Sequence, residues 1–147
     1  MKIVRTKDLE NTERHARPTG CESIRLIVKD DKMGFGVHKT IIPKGGPHHW
    51  HYPHHLEACY CVSGQGMITS LSTGEKWFID PDTIYLLDKN DDHTFEALTD
   101  VVLISIFNPP INGHEVHDEN GHYPKQFTNR ISEQPTRING LTSYKYL

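Results

Sequence analysis

The sequence predicts an all-β fold, a single jelly-roll-like antiparallel β-barrel or a closely related sandwich. Short alternating runs of apolar and polar residues recur between residues 22 and 107, and clusters of turn-forming residues separate them. A length of 147 residues is typical of one domain with one core. We therefore expect residues 1–124 to form the barrel with a short N-terminal segment, and residues 125–147 to form an irregular, polar tail.

The predicted strands follow from the alternating runs in chain order. They are ESIRLIVK, FGVHKTII, LEACYCV, MITSL, KWFI, TIYLL, HTFEAL and VVLISIF. Turn formers such as Ser63-Gly64-Gln65-Gly66 link successive runs, so we expect hairpins throughout. A helix is predicted only for residues 6–15, with Thr6 as its N-cap.

Strand alternation predicts which side chains share a face. In FGVHKTII, the small or polar residues Gly36, His38 and Thr40 share one face, and mostly apolar residues share the other. Such a strand either lines an internal cavity with its polar face or turns that face to solvent. The run VVLISIF is apolar in both phases, which predicts burial on both faces.

Composition argues against several classes of protein. The 16 basic and 19 acidic residues are mixed along the chain, which favours neither nucleic acid nor a membrane surface as a partner. There is no apolar stretch of about 20 residues, and the start MKIVRTKDLE lacks the apolar segment of a signal peptide, so we expect a cytoplasmic protein. Three cysteines cannot all pair with one another, and we expect free thiols.

Five of the eleven histidines lie between residues 48 and 55, which indicates either metal chemistry or a solvated loop. This region resembles the first motif of the cupin family, with Glu57 and Gly64 in matching positions. Counted back from Glu57, the two histidine positions of the motif fall on Trp50 and Tyr52 or on His51 and Pro53. Neither spacing supplies two histidines. His49 and His51 are one residue out of step with the longer spacing, so we predict that they are not metal ligands.

The span Asp88 to His93 resembles the second cupin motif, with His93 in the histidine position. Tyr85 lies on the preceding predicted strand and can face the same interior. A set of Glu57, Tyr85 and His93 offers nitrogen and oxygen donors, which suit Fe, Mn or Zn, and the lack of thiolates argues against a structural zinc site.

Longer runs resemble ectoine synthase, a cupin enzyme. They are RLIVKDDKMGFGVHKT, HYPHHLEACYCVSGQG, PDTIYLLDKNDDH and, most specifically, FNPPINGHEVHDENGHYP. The resemblance implies a cytoplasmic lyase that uses Fe2+, or another divalent metal, to cyclise N4-acetyl-L-2,4-diaminobutyrate to ectoine with loss of water. It also implies a homodimer.

Carried over residue by residue, the resemblance implies metal ligands at Glu57, Tyr85 and His93. Catalytic roles fall on Tyr52, Glu115 and His117. The substrate-binding residues that it implies are Arg25, Thr40, Tyr52, Phe107, Glu115 and His117, with the altered positions Cys21 and Ser105 in the same wall.

The chain departs from the family at two wall positions, with Cys21 in place of Trp and Ser105 in place of Cys. A small residue at position 21 leaves a cavity, a repacked neighbour or room for a bulkier ligand. These departures keep two alternatives open. One is a metal-dependent cupin enzyme acting on a related small amide, amino acid or compatible solute, and the other is a non-catalytic cupin that binds a solute.

Overall fold

The computed structural model describes residues 1–115 and 122–123, together with the backbone of 137–138 and 141–142. The elements of residues 1–115 are α1 (Thr6–Leu9), a 3-10 turn (Lys29–Asp31), β1 (His15–Ala16), β2 (Glu22–Ile27), β3 (Gly36–Ile42), β4 (Gly45–Trp50), β5 (Leu56–Ser63), β6 (Gly66–Ser70), β7 (Lys76–Ile79), β8 (Ile84–Leu87), β9 (His93–Ala97) and β10 (Val101–Asn108). A further pair follows, β11 (Arg137–Ile138) and β12 (Leu141–Thr142). The rest of the predicted tail, residues 125–147, lies outside the described residues. No described helix is long or apolar enough to cross a membrane.

Two antiparallel sheets form the domain. The larger has the order β1-β2-β3-β10-β5-β8, and the smaller has the order β4-β9-β6-β7. The all-β prediction is confirmed. The prediction that all successive strands pair as hairpins is wrong. Among the strands of residues 1–115, β1 with β2, β2 with β3 and β6 with β7 are the sequence neighbours that pair. Other successive strands, such as β5 and β6, lie in opposite sheets, because a jelly roll takes most ladder partners from distant parts of the chain.

The inner face of the larger sheet carries the polar side chains that alternation grouped together. His38 is 1% exposed, and Thr40 is partly buried on the same face of β3. Of the two alternatives for this strand, the structure therefore has the lined interior. Burial of β10 on both faces is wrong, because Ile106 on the outer face is 37% exposed.

An apolar core packs between the two sheets. Phe95 is fully buried there, and Gly66 lies against its ring: a Cβ at position 66 would be 2.5 Å from Phe95 Cζ. Ile42 and Leu103 extend this core to the inner cavity described below. Truncating Phe95 to Ala would cost about 3–5 kcal/mol of stability. The core thus fixes the spacing of the two sheets.

Two local predictions were wrong. The helix ends at Leu9 instead of continuing to His15, because Asn11 adopts a left-handed conformation (φ 59°) and His15 and Ala16 join the sheet as β1. The residue at the N-cap is Arg5, not Thr6. Strand β4 was missed because its sequence, GGPHHW, has low β propensity.

Candidate metal centre and substrate pocket

A small polar cavity lies between the inner faces of the two sheets. Its volume is about 20 Å³, which is enough for one water molecule or one metal ion. Eight of the residues that the sequence nominated line it: Cys21, Thr40, Tyr52, Glu57, Tyr85, His93, Ser105 and Phe107. Residues from both sheets therefore converge on one small space.

One row of side chains crosses the larger sheet and explains much of this convergence. Backbone pairing sets Tyr85 opposite Cys59, Cys59 opposite Ser105, Ser105 opposite His38, and His38 opposite Arg25. Because directly paired residues point to the same face, all five lie on the inner face. Tyr85 and Arg25 are at opposite ends of the row.

Glu57 is a buried carboxylate on β5, two residues from Cys59. Burial raises the pKa of Glu57 to about 7, although hydrogen bonds from Cys59 and Ser105 act in the other direction. The Cys59 thiol donates to Glu57 Oε1 over 3.1 Å. Burial and the nearby Glu57 charge hold the pKa of Cys59 well above its usual range, so this thiol stays protonated and can donate.

His93 approaches the cavity from the smaller sheet. Its Nδ1 lies 3.0 Å from the carbonyl oxygen of Asp91, an acceptor that assigns the proton to Nδ1 and leaves Nε2 for a ligand. Burial lowers the pKa of His93, which favours the neutral, ligating form of the ring. The backbone therefore orients this imidazole.

Tyr85 contributes a phenol from the edge strand β8. Its ring stacks on Phe95 with a centroid distance of 6.3 Å. Burial, together with the charges of Cys59 and Glu57, raises the pKa of Tyr85 well above its usual range. This shift favours the protonated phenol at neutral pH.

These three side chains are chemically suited to one metal ion. Glu57, Tyr85 and His93 share a cavity of ionic size and supply two oxygen donors and one nitrogen donor. In the part of the chain that is described, no three His, Cys, Asp or Glu side chains are grouped as a metal cluster.

His49 and His51 do not line the cavity. His49 Nε2 lies 2.5 Å from Asp92 Oδ1 on the surface, and His51 Nδ1 lies 3.2 Å from His122 Nε2. Neither lines the cavity, whereas Trp50 and Tyr52 both do. The longer spacing of the first motif is therefore the one that the strand follows, with two aromatic rings in its histidine positions.

Asn90 shapes the turn before His93, in the span that resembles the second cupin motif. Its φ is 53°, a left-handed conformation that asparagine tolerates. Its side-chain amide donates to the carbonyl oxygens of Tyr52 and His55, both over 2.9 Å. Asn90 thereby ties the turn before His93 to the loop that carries Tyr52.

Arg25 is a fully buried cation at the far end of the row. Its Nη2 donates to the carbonyl oxygen of Glu115, and its guanidinium carbon lies 5.8 Å from the ring centroid of Tyr123, which lines the cavity. Its Nε and Nη1 have no hydrogen-bond partner within the described part of the chain. A buried guanidinium with unpaired donors is costly, and it favours an anionic ligand.

Glu115 does not line the cavity in the described structure. Its carboxylate accepts hydrogen bonds from the backbone nitrogens of Asn112 (2.7 Å), Gly113 (2.7 Å) and His114 (3.2 Å). Burial raises the pKa of Glu115, but the backbone hydrogen bonds outweigh it and the net direction is downward. The carboxylate is thus tied to its own loop. His117, for which the sequence predicts the same catalytic and substrate-binding roles as for Glu115, lies outside the described residues.

Cys21 forms part of the wall without leaving a large void. Tyr52 and Tyr123 line the same space and stack on each other with a centroid distance of 5.3 Å. The cavity that Cys21, Tyr52 and Tyr123 line together has a volume of only about 20 Å³. Burial and the Glu57 charge raise the pKa of Cys21 to about 12, so its thiol is protonated.

Sequence reasoning missed several residues that line the cavity. The missed polar and aromatic ones are Ser23, His38, Trp50, Cys59 and Tyr123. A signal existed for His38 and Cys59, which lie two residues from Thr40 and Glu57 and so share their faces. No periodic signal marks Tyr123, because the sequence after Asn108 lacks the alternation of apolar and polar residues.

Comparison with known proteins identifies the family. A profile described as ectoine synthase matches residues 1–127. The chain belongs to the ectoine synthase family. L-ectoine synthase from Vibrio campbellii is 49% identical over 125 residues, covering 83% of this chain and 97% of that protein. L-ectoine synthase from Halalkalibacterium halodurans is 44% identical over 124 residues, covering 84% and 96%.

Solved structures agree with this ectoine synthase assignment and confirm the cupin fold. Ectoine synthase from P. lautus superposes with a TM-score of 0.73 at 32% identity, covering 77% of this chain and 81% of that one. A predicted oxalate decarboxylase from Thermotoga maritima has a TM-score of 0.62 at 16% identity, covering 74% and 99%, which shows a shared fold alone.

Proposed function

We propose that this chain is an L-ectoine synthase, a hydro-lyase that closes N4-acetyl-L-2,4-diaminobutyrate into ectoine and releases water. Family membership supports the activity. The structural observation that carries the proposal is a metal-type donor set that lines one small cavity, with Arg25 buried at the far end of the same side-chain row, beside the lining residue Tyr123 and with two nitrogens that lack a partner in the described part of the chain. A substrate with an amide and a carboxylate suits these two ends.

Glu57, Tyr85 and His93 are the residues that we propose to hold Fe2+. The chemistry that a ferrous ion supplies in such a set is that of a Lewis acid, which draws electron density from an amide carbonyl oxygen. Other divalent ions fit the same donors. The buried Glu57 supplies the negative charge that attracts the cation, and the Asp91 carbonyl holds the His93 ring in its ligating tautomer.

Arg25 is the residue that we propose for the substrate carboxylate. Its Nε and Nη1 have no hydrogen-bond partner within the described part of the chain, so each can donate to a carboxylate oxygen, and Nη2 keeps a second N–H besides the one that it donates to Glu115. Anchoring the carboxylate limits the motion of the neighbouring amine, which has to reach the amide carbon to close the ring.

Tyr52 is our candidate for moving a proton. It is 6% exposed, and burial with the Glu57 charge holds its pKa well above the usual range. At neutral pH it is therefore a donor, suited to protonate the oxygen that leaves as water. Glu115, with three backbone amides on its carboxylate, is better suited to positioning its loop and Arg25 than to accepting a proton. A role for His117 remains the prediction made from the sequence.

A homodimer and a cytoplasmic location are part of the same proposal. Within the described residues, strand β8 is the last strand of the larger sheet, and its outer face joins that of β5 and β10 in an apolar patch. The exposed members are Leu56, Tyr60, Val62, Ile84, Leu86 and Ile106. A contiguous apolar patch beside an open edge favours a protein interface.

A related reaction is the second candidate. Cys21, His38 and Ser105 give the wall of this cavity a particular set of polar groups, and such a wall can select a different small amide, amino acid or solute. A cupin that only binds a solute would not require the metal-type donor set of Glu57, Tyr85 and His93.

Product analysis tests these readings. We would load the protein with Fe2+ anaerobically, incubate it with N4-acetyl- or N2-acetyl-2,4-diaminobutyrate, and follow both by proton NMR, with a chelated sample as control. Ectoine formed from the N4 isomer, and lost on chelation, is the expected result. Binding of the N4 isomer without turnover would favour the solute-binding alternative, and turnover of the N2 isomer alone would favour the related reaction.

A further inference from the structure

A chain of buried thiol and hydroxyl groups runs from Glu57 to the opposite wall of the cavity. The Cys59 thiol lies 3.1 Å from Glu57 Oε1, and its sulfur lies 3.3 Å from Ser105 Oγ. Ser105 Oγ in turn lies 3.1 Å from Thr40 Oγ1. Glu57, Cys59 and Ser105 are each less than 10% exposed, so water does not compete for these contacts.

Backbone pairing builds this chain. Glu57 and Cys59 share the inner face of β5 because they are two residues apart, and Cys59 is paired directly with Ser105 on β10. Leu103 of the same strand pairs with Thr40 on β3, which brings Thr40 next to Ser105 on the inner face. The contacts thus follow from strand register and not from a flexible loop.

The direction of the first hydrogen bond is fixed by chemistry. An ionised carboxylate only accepts hydrogen bonds, so Cys59 has to be the donor to Glu57. This hydrogen bond engages Oε1, and Ser105 also hydrogen-bonds to the Glu57 carboxylate. Ser105 contacts the Cys59 sulfur from the other side, and Thr40 in turn contacts Ser105.

We propose that Cys59, backed by Ser105, is a positioning residue that orients the Glu57 carboxylate for the metal. The inference rests on the proposed metal centre. It assigns to a thiol, in a site whose donor set contains no sulfur, the role of a hydrogen-bond donor rather than a ligand. Groups that orient a metal ligand typically contribute 10–100-fold, roughly, to metal affinity.

Three substitutions separate the hydrogen bond from the volume of the side chain. Cys59→Val fills a similar space without a donor, Cys59→Ala removes both, and Cys59→Ser keeps a donor. Cys61→Ala is the matched control, because Cys61 is equally buried on the same face of β5 but donates to the carbonyl oxygens of Ser63 and Gly64 and does not line the cavity.

The measurement is the affinity of each purified, folded variant for Co2+ and Fe2+, by competition with a chromophoric chelator, with the Co2+ absorption spectrum recorded in parallel. Circular dichroism of the metal-free proteins verifies folding. We expect Cys59→Val and Cys59→Ala to bind metal about 10–100-fold more weakly, and Cys59→Ser and Cys61→Ala to stay within a few-fold of wild type.

Each other result overturns part of the argument. Wild-type affinity in Cys59→Val and Cys59→Ala, or equal loss in Cys59→Ser, would refute the donor role while leaving the metal centre intact. A sulfur-to-cobalt charge-transfer band that disappears in Cys59→Ala would make Cys59 a ligand. A wild-type protein that binds neither metal would overturn the proposed metal centre itself, and this inference with it.

Discussion

Replacing Arg25 with methionine should change substrate binding and protein stability in opposite directions. Methionine approximates the length of the arginine stem but carries no charge and no N–H donor. The two unpaired nitrogens of Arg25 each cost about 1–3 kcal/mol in the folded state. The substitution removes that cost.

The substitution also removes favourable contacts. The charged hydrogen bond to the Glu115 carbonyl contributes about 1.5–3 kcal/mol, and the contact with the Tyr123 ring about 1–2 kcal/mol. These losses nearly offset the relief of the unpaired nitrogens. Because the cost of burying the charge itself also disappears, we expect Arg25→Met to be as stable as wild type or more stable by about 1–4 kcal/mol.

Substrate binding should change in the opposite direction. Two charge-assisted hydrogen bonds to a carboxylate contribute about 3–6 kcal/mol, so kcat/KM for N4-acetyl-diaminobutyrate should fall by roughly 10²–10⁴-fold. Thermal unfolding of the metal-free protein gives the first quantity, since about 1 kcal/mol moves Tm by 2–4 °C in a domain of this size. Initial rates of ectoine formation give the second.

Arg14→Met is the control for this experiment. Arg14 Nη1 pairs with Asp31 Oδ2 over 3.3 Å away from the cavity, so its loss should lower stability slightly and leave kcat/KM unchanged. If Arg25→Met instead lowers the unfolding free energy by several kcal/mol and retains wild-type kcat/KM, Arg25 is a structural cation and the assignment of the carboxylate site is wrong.

Three further predictions concern the metal, the pH response and the assembly. His93→Ala should lose both bound iron, measured by elemental analysis, and ectoine formation, whereas His49→Ala should keep both; iron retained by His93→Ala would contradict the donor set. The folded-state pKa of Glu57 is raised from 4.5 to about 7, so the folded protein holds a proton that the unfolded chain releases earlier. Glu57 alone should therefore remove up to about 3 kcal/mol of stability from the metal-free protein as pH rises from about 4.5 to beyond 7, whereas His93, whose pKa is lowered, acts in the opposite direction. The difference between the pH slopes of wild type and Glu57→Gln in urea titrations isolates the Glu57 contribution; an equal slope in both would exclude Glu57 as its source. Light scattering should give a dimer mass for wild type and for Leu71→Glu, but a monomer mass for Leu86→Glu on β8; a wild-type monomer would refute the homodimer.

The inner face of the barrel was largely predictable from the sequence. A strand repeats every two residues, so once Glu57 and Thr40 were placed inside, the facing of their neighbours was set. His38 was placed on a face that either lines a cavity or meets solvent, whereas Cys59 had the right phase but was not read as a wall residue. The alternation rule therefore supplies more of the site than the motifs alone.

Other features depend on information that a local pattern does not contain. Strand β4 forms from glycine, proline and histidine because β9 pairs with it, which is a long-range effect. The register of β4 decides which residues take the two histidine positions of the first cupin motif. Only with that register known could Trp50 and Tyr52 be placed there. The hydrogen bonds that tie down Glu115, and the approach of Tyr123 to Arg25, depend on the path of an irregular segment with no period.

The row from Tyr85 to Arg25 takes one residue from each of five neighbouring strands. Every member is held by backbone pairing to its neighbour in the row, so a substitution changes one chemical group and leaves the others in place. A one-residue insertion in a strand, by contrast, would turn its contribution to the outer surface. Ser105 and His38 can thus each be substituted without a change in the register of the strands. Such a site can acquire new substrates by substitution, but it tolerates almost no change in strand length.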